Sequence, residues 1–129
     1  MRIKPAKGEF YLSLGDRGEM IAAAYLTEQG YQILDKKVRS PFGELDLVAR
    51  KRGRIIFVEV KTRSTPQFGL PEEAVDLVKQ KQITKLAEWY LQKNKIENAS
   101  ARFDVIALIY DGVSIPQVRH VENAFEAQA

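Results

Sequence analysis

Apolar side chains recur along the chain with two different periods, and the switches between them mark out the elements. From Gly15 to Gln29 the apolar positions fall at helical spacing. Asp16, with Glu19 three residues on, reads as a capping-box start, and Gly30 as the stop. Tyr31–Val38 carries strand-type residues, and Ser40-Pro41-Phe42-Gly43 supplies a turn. Leu45–Ala49 and Ile55–Val60 are apolar, β-branched runs joined by Arg50-Lys51-Arg52-Gly53-Arg54. This is a hairpin signal, with Gly53 free to take a positive φ. Ser64–Leu70 reads as a loop, with Pro71 at a helix start. Between Glu72 and Lys93, the positions Val75, Val78, Ile83, Leu86, Ala87, Tyr90 and Leu91 keep helical spacing with one break, so the segment is one helix or two pieces. Phe103–Tyr110 is a strongly apolar strand, Asp111-Gly112 a turn, and Ser114–Val121 a weaker last strand. The predicted order α-β-β-β-α-β-β is a mixed α/β domain without repeats or a linker.

Three polar placements break this pattern, and such breaks mark functional positions. Along a strand, side chains alternate between faces. Ile55, Phe57, Glu59 and Lys61 therefore share one face of the second hairpin strand, and Ile56, Val58 and Val60 the other. Glu59 and Lys61 interrupt a strand that is otherwise apolar on both faces and so central to the sheet. On the preceding strand Glu44, Asp46 and Val48 are expected to share a face, opposite Leu45, Leu47 and Ala49. A hairpin closed symmetrically on Arg52-Gly53 sets Asp46 directly across from Glu59, with Cβ atoms about 5 Å apart. Two carboxylates that close repel each other and raise one pKa unless a cation lies between them. Mg²⁺ or Mn²⁺ suits such a pair, because hard cations take carboxylate oxygens. Lys61 is placed to serve an activated water or the charge developing on a phosphate. The bland alternative is a structural cluster in which Lys61 neutralises Glu59.

Glu19 is the second break. Its helical face holds Ala22, Ala23 and Leu26, which turns the carboxylate toward the sheet, where it needs a partner; the alternative is a capping role at Asp16. The third is Arg102-Phe103-Asp104, where Asp104 either pairs with Arg102 or another basic residue, the structural reading, or borders the site. His120 reads as a surface or partly buried strand residue without catalytic work.

Composition narrows the chemistry further. The 129 residues suit a single domain, with a core expected over roughly 13–121. At 45% hydrophobic and 29% charged, the chain has the composition of a soluble globular domain. There is no cysteine and only one histidine, which excludes disulfide frameworks, thiolate nucleophiles and Cys- or poly-His metal sites. Catalysis is left to carboxylates, lysine and a hard cation. No stretch approaches the roughly 20 apolar residues of a membrane span, and the basic start has no apolar block behind it, so no membrane role and a cytoplasmic location are expected.

The net charge is only +3, but residues 36–63 hold nine Lys and Arg against Glu44, Asp46 and Glu59, and 79–95 hold five Lys against Glu88. A basic middle points to a polyanionic partner, with a solvated surface as the alternative. Neither a helix-turn-helix or zinc motif nor an aromatic-interleaved basic run is present, which favours backbone or shape recognition.

The strings Gly43-Glu44-Leu45-Asp46-Leu47 and Phe57-Val58-Glu59-Val60-Lys61-Thr62-Arg63 resemble the PD-(D/E)XK nuclease superfamily. More narrowly, the chain resembles the YraN-like family of endonuclease-like bacterial proteins. That likeness rests also on Gly15, Gly18-Glu19, Gly30-Tyr31, Gly69 and Pro71, Lys81 and Arg102-Phe103-Asp104. The resemblance implies a restriction-endonuclease-like α/β core, similar to Holliday-junction resolvases, with a mixed sheet flanked by helices. By residue it makes Asp46 and Glu59 metal ligands, with the Val60 carbonyl a further one, Lys61 the catalytic lysine and Glu19 the helix-borne acid. One position departs, since Leu45 rather than proline precedes Asp46.

The expectation is a Mg²⁺- or Mn²⁺-dependent nuclease acting on DNA, branched or structured DNA included. Arg50, Lys51, Arg52, Arg54, Arg63, Lys79 and Lys81 would contact the backbone, and a homodimer is one open state. The alternatives are a nucleic-acid-binding or scaffold protein that keeps the fold without cutting, and a purely structural protein-protein module.

Overall fold

A strand that is apolar on both faces has to lie between two covered faces, and Ile55–Val60 meets that demand at the middle of the sheet. The computed structural model describes residues 12–66 and 71–129. The expectations placed on Gly69, on the rest of 67–70 and on the basic N-terminal stretch lie outside the described residues. The elements are α1 (Leu14–Glu28), β1 (Gln32–Ser40), β2 (Gly43–Lys51), β3 (Arg54–Arg63), a 3-10 turn (Pro71–Ala74), α2 (Leu77–Lys93), β4 (Ala101–Ile109) and β5 (Gln117–Phe125). The five strands lie in chain order across one sheet. All neighbours are antiparallel except β3 and β4, which run parallel and are joined through α2. The result is the expected α/β architecture, a mixed sheet with helices packed on it.

Alternation along β3 divides the core. Ile56, Val58 and Val60 pack with Ala22, Ala23 and Leu26 of α1, while Ile55 and Phe57 pack with Ile83, Leu86 and Tyr90 of α2. The β2–β3 hairpin closes through Arg52 (φ 52°) and Gly53 (φ 76°), the double positive φ that matches strand twist.

Three expectations are corrected. Helix α1 starts earlier, because the N-cap is Ser13, whose hydroxyl accepts from Asp16 N–H at 3.0 Å, and Asp16 returns to the Ser13 N–H. Ser13-x-x-Asp16 is itself a capping box, so Glu19 lies a turn inside the helix with no capping role. The last strand runs on to Phe125, whose ring stacks on Phe103 at 4.9 Å between centroids, a contact that outweighs the polar run before it. Finally, Leu45 packs with Val48 on the α2 side, while Leu47 and Ala49 pack on the α1 side. Regular alternation fails at Asp46, opposite the point where β1 carries Lys37 at φ 48° between the pairs Lys36↔Leu47 and Val38↔Leu45. A left-handed residue resets the side-chain phase in a way that no alternation rule anticipates.

Helix α1 approaches β3 closely at Gly18, where a Cβ would fall 1.9 Å from Thr62 Oγ1 and 3.0 Å from Thr62 Cβ. Rotating Thr62 relieves the first contact but not the second. Gly18→Ala gains about 1 kcal/mol of helix propensity against an overpacking cost of about 1–3 kcal/mol. The substitution is therefore expected to lower the urea midpoint, and Gly18→Ala with Thr62→Ala to recover part of the loss. A stabilised Gly18→Ala protein would show that the close approach is not required.

Candidate active site

β2 and β3 pair from the hairpin turn only as far as Leu47↔Val58. Beyond that point β2 stays with β1 to Gly43, while β3 stays with β4 to Arg63. The two strands part as a fork. The register carries Asp46 toward Glu59 as expected, but the ladder ends one step before they would pair. Asp46 Oδ2 instead accepts the Val60 N–H at 2.8 Å. A buried N–H has to find an acceptor, and a carboxylate is a strong one. Val60 thus meets the site through its N–H.

Four acids gather around the fork. Glu19 from α1, Glu44 from β2 and Asp46 each place one carboxylate oxygen so that the three lie within 4.8 Å of one another. Glu59 is nearly buried, with Oε1 3.4 Å from Lys61 Nζ and 3.6 Å from Lys79 Nζ of α2. Lys37, displaced by its left-handed backbone, pairs with Asp16 and lies 3.0 Å from Glu19 Oε2, an ion pair without hydrogen-bond alignment. Arg39 Nε lies 3.4 Å from Glu44 Oε2 at the exposed rim, where such a contact contributes little. Asp46 alone of the four makes no ion pair among the described residues.

The electrostatics follow. Burial first, then the Glu59 charge, push the Asp46 carboxyl up to about 6, and the Val60 N–H only partly offsets this. Burial also holds Glu19 above its ordinary range, with the Asp46 charge adding to it and Lys37 opposing. Lys37, bonded to Asp16 and paired with Glu19, is held more firmly protonated than an ordinary lysine. Crowded carboxylates with one uncompensated member are the donor set a hard divalent cation suits, so the residues present fit Mg²⁺ or Mn²⁺.

Glu19, Asp46, Glu59 and Lys61, separated by up to 42 positions in the chain, converge here. Lys79 joins them through Glu59, and Arg63 ends β3 on the same side. Lys81 is exposed on α2, and Gln82 donates to the Phe42 carbonyl at 2.9 Å, closing the turn beside Gly43. Arg50 bonds Gln32 at 3.0 Å. Lys51, Arg52 and Arg54 stand at the other end of the sheet, Arg54 being five residues and about 17 Å along β3 from Glu59. Asp104 does not border the fork. It is fully buried, takes two bonds of 2.8 Å from Arg102, one of 2.7 Å with His120 and one of 3.0 Å from Asn123 N–H.

Glu44 and Lys37 were given no role by sequence reasoning. Glu44 stood in the Gly43–Leu47 string beside Asp46, which was the signal available for it. Lys37 had none, since its place depends on a backbone conformation.

The sequence pattern of the family described as Uncharacterised protein family UPF0102 matches residues 18–108, which include all four site residues. A UPF0102 protein of Syntrophotalea carbinolica is 50% identical over 115 residues, covering 89% of this chain and 93% of that one. A UPF0102 protein of Trichlorobacter lovleyi is 47% identical over 123 residues, covering 95% and 97%. One of Geobacter metallireducens is 46% identical over 114 residues, covering 88% and 93%.

A carboxyl whose folded pKa stands above its ordinary 3.8 costs stability once ionised. The cost is complete above about pH 6 and gone near pH 4. Asp46→Asn is therefore expected to raise the melting temperature of the metal-free protein at pH 7, with the gain fading as pH falls through that window. Thermal unfolding at a series of pH values checks this, and a gain that is equal at both ends contradicts the crowding described.

Proposed function

Since the chain belongs to UPF0102, the YraN family, we propose that its acidic fork hydrolyses phosphodiester bonds of DNA with a divalent cation, Mg²⁺ or Mn²⁺. The observation that carries this reading is the convergence of Glu19, Glu44 and Asp46 within 4.8 Å, beside a lysine-bearing strand. Glu19, Glu44 and Asp46 would hold the cation through their carboxylates, with Glu59 next to Asp46. When bound, the cation supplies Lewis-acid charge for a phosphate oxygen and for the attacking water.

The chain's own groups do the rest. Asp46 is fixed by the Val60 N–H, so its carboxylate is oriented before any ligand arrives. Lys61, 22% exposed, keeps its ammonium at the mouth, next to Glu59 and within reach of an incoming phosphate. Lys79 approaches the same Glu59 oxygen as Lys61 and adds a second cation to the rim. Lys37 balances Glu19 while no cation is present and has to yield when one enters. Backbone contacts by Arg63 and the α2 lysines would make affinity fall with salt.

A second reading has its own observation. Glu59 is already neutralised by Lys61 and Lys79, as in a protein that keeps the fold and binds nucleic acid without cutting. The two readings separate on purified protein with Mn²⁺ and branched, flapped and linear DNA. Cleavage is expected to fall by at least about a hundredfold in Asp46→Asn, Glu59→Gln and Lys61→Ala. If wild type and Glu59→Gln release the same trace product, the activity is a contaminant's. Metal-independent binding that survives Asp46→Asn and Lys61→Ala, with no cutting, establishes the second reading.

A further inference from the structure

At the hairpin end of the sheet, away from the acidic fork, a cavity of about 320 Å³ is lined by Tyr31, Lys51, Arg52, Arg54, Arg102 and Glu122. Four cations face one carboxylate there, and Asp104 behind Arg102 offsets one more charge. A surplus of about two positive charges remains in a pocket at the small end of the range for ligand sites, about 300–1,000 Å³.

The pocket is built rather than incidental. Arg102 donates through Nε and Nη2 to the buried Asp104, and through Nη2 to the Tyr31 hydroxyl at 2.9 Å. Asp104 is itself fixed by His120 and the Asn123 N–H. The guanidinium is locked in place with Nη1 making no hydrogen bond among the described residues. Lys51 is held by the Gln29 carbonyl at 2.8 Å and lies over the Tyr31 ring, 4.5 Å from its centroid. Arg54 is steered by Ser100 Oγ at 3.2 Å. Arg52 occupies a left-handed turn position (φ 52°) that ordinarily favours Gly, Asn or Asp, so the turn keeps an arginine against local preference. Tyr31 donates to Glu122 Oε1 at 3.2 Å, leaving the other Glu122 oxygen to accept from a ligand hydroxyl or N–H.

From this arrangement we infer that the pocket is a binding site for a terminal phosphate monoester of a nucleotide. A monoester dianion matches the charge surplus, preset guanidinium N–H groups match its oxygens, and Glu122 takes a donor on the attached sugar or base. The same chemistry is offered by the phosphorylated end of a nucleic-acid strand and by a free mononucleotide. The site lies too far from the fork to share a phosphate with it, and it requires neither a cation nor cleavage.

The test uses the ¹⁵N-labelled full chain in EDTA, titrated with adenosine 5′-monophosphate and with a short DNA oligonucleotide bearing a 5′-phosphate, a 3′-phosphate or neither. Amide shifts at Tyr31, Lys51, Arg52, Arg54 and Arg102 that require the phosphate are expected with a phosphorylated end, with the mononucleotide, or with both, which identifies the source. The doubly substituted Arg52→Ala/Arg54→Ala protein, altered only at exposed positions, is expected to keep its melting temperature and lose at least about tenfold in affinity. Asp46→Asn is expected to bind as wild type, so failure of the nuclease reading leaves this result standing. The inference is overturned if neither probe moves these amides, if the unphosphorylated strand moves them equally, or if the doubly substituted protein binds the mononucleotide and the phosphorylated ends undiminished.

Discussion

The bond from the Val60 N–H to the Asp46 carboxylate lies at the point on which the site's geometry turns. It ends the β2–β3 ladder. An N–H left without an acceptor there would cost about 1–3 kcal/mol, enough to favour continued pairing. Because a side chain supplies the acceptor, β2 can stay with β1 while β3 runs on beside β4. The gap between them is where Glu19 of α1 meets Glu44 and Asp46. Gly18, flush against Thr62, lets α1 come close enough for its next residue to reach the fork. Helix, strand and fork are thus one device, with the carboxylate as both a structural cap and a chemical group.

Charge balance at the fork is uneven in an informative way. Glu19 has Lys37, Glu44 has Arg39, and Glu59 has Lys61 and Lys79. Asp46 has an N–H and no ion-pair partner among the described residues, and its carboxyl is the one pushed up to about 6. Two ways exist to relieve such a group. A proton suffices in the empty protein, and a cation does so at neutral pH. The lysines around the other acids can move, since Lys61 and Lys79 keep part of their surface in water, whereas Asp46 is held by backbone.

Much of this was legible in the sequence because it rests on local rules. Two-faced apolarity placed β3 at the centre, the basic Gly53 turn set the hairpin register from Leu47 to Lys51 correctly, and Glu19, Asp46, Glu59 and Lys61 stood out as charges in apolar surroundings. The misses come from interactions that no period encodes. Ser13 and Asp16 both suit an N-cap, and only their mutual bonding decides between them. Lys37 takes a left-handed conformation that changes the side-chain phase opposite Asp46, so Leu45 was assigned to the wrong face. The hairpin-end pocket joins Tyr31 to Arg102 across 71 residues of chain, and the sequence offered only its three turn cations as a hint.

Asp104, fully buried, and Asp46, half-buried, make the difference between structure and chemistry concrete. Burial pushes both carboxyls upward. At Asp104 the push is outweighed by His120, Arg102 and the Asn123 N–H, and the carboxyl ends below its ordinary range. At Asp46 a single N–H, a neighbouring Glu19 and a distant lysine do not outweigh burial and Glu59, and it ends above. Asp104 therefore stays ionised with its hydrogen-bonding capacity filled, which suits a group whose work is to hold Arg102 still. Asp46 is left with unfilled capacity and an opposing charge beside it, so anything positive that enters the fork gains most by binding there. Opposite satisfaction of two carboxyls that burial pushes the same way is what separates a brace from an uncompensated group in this fold.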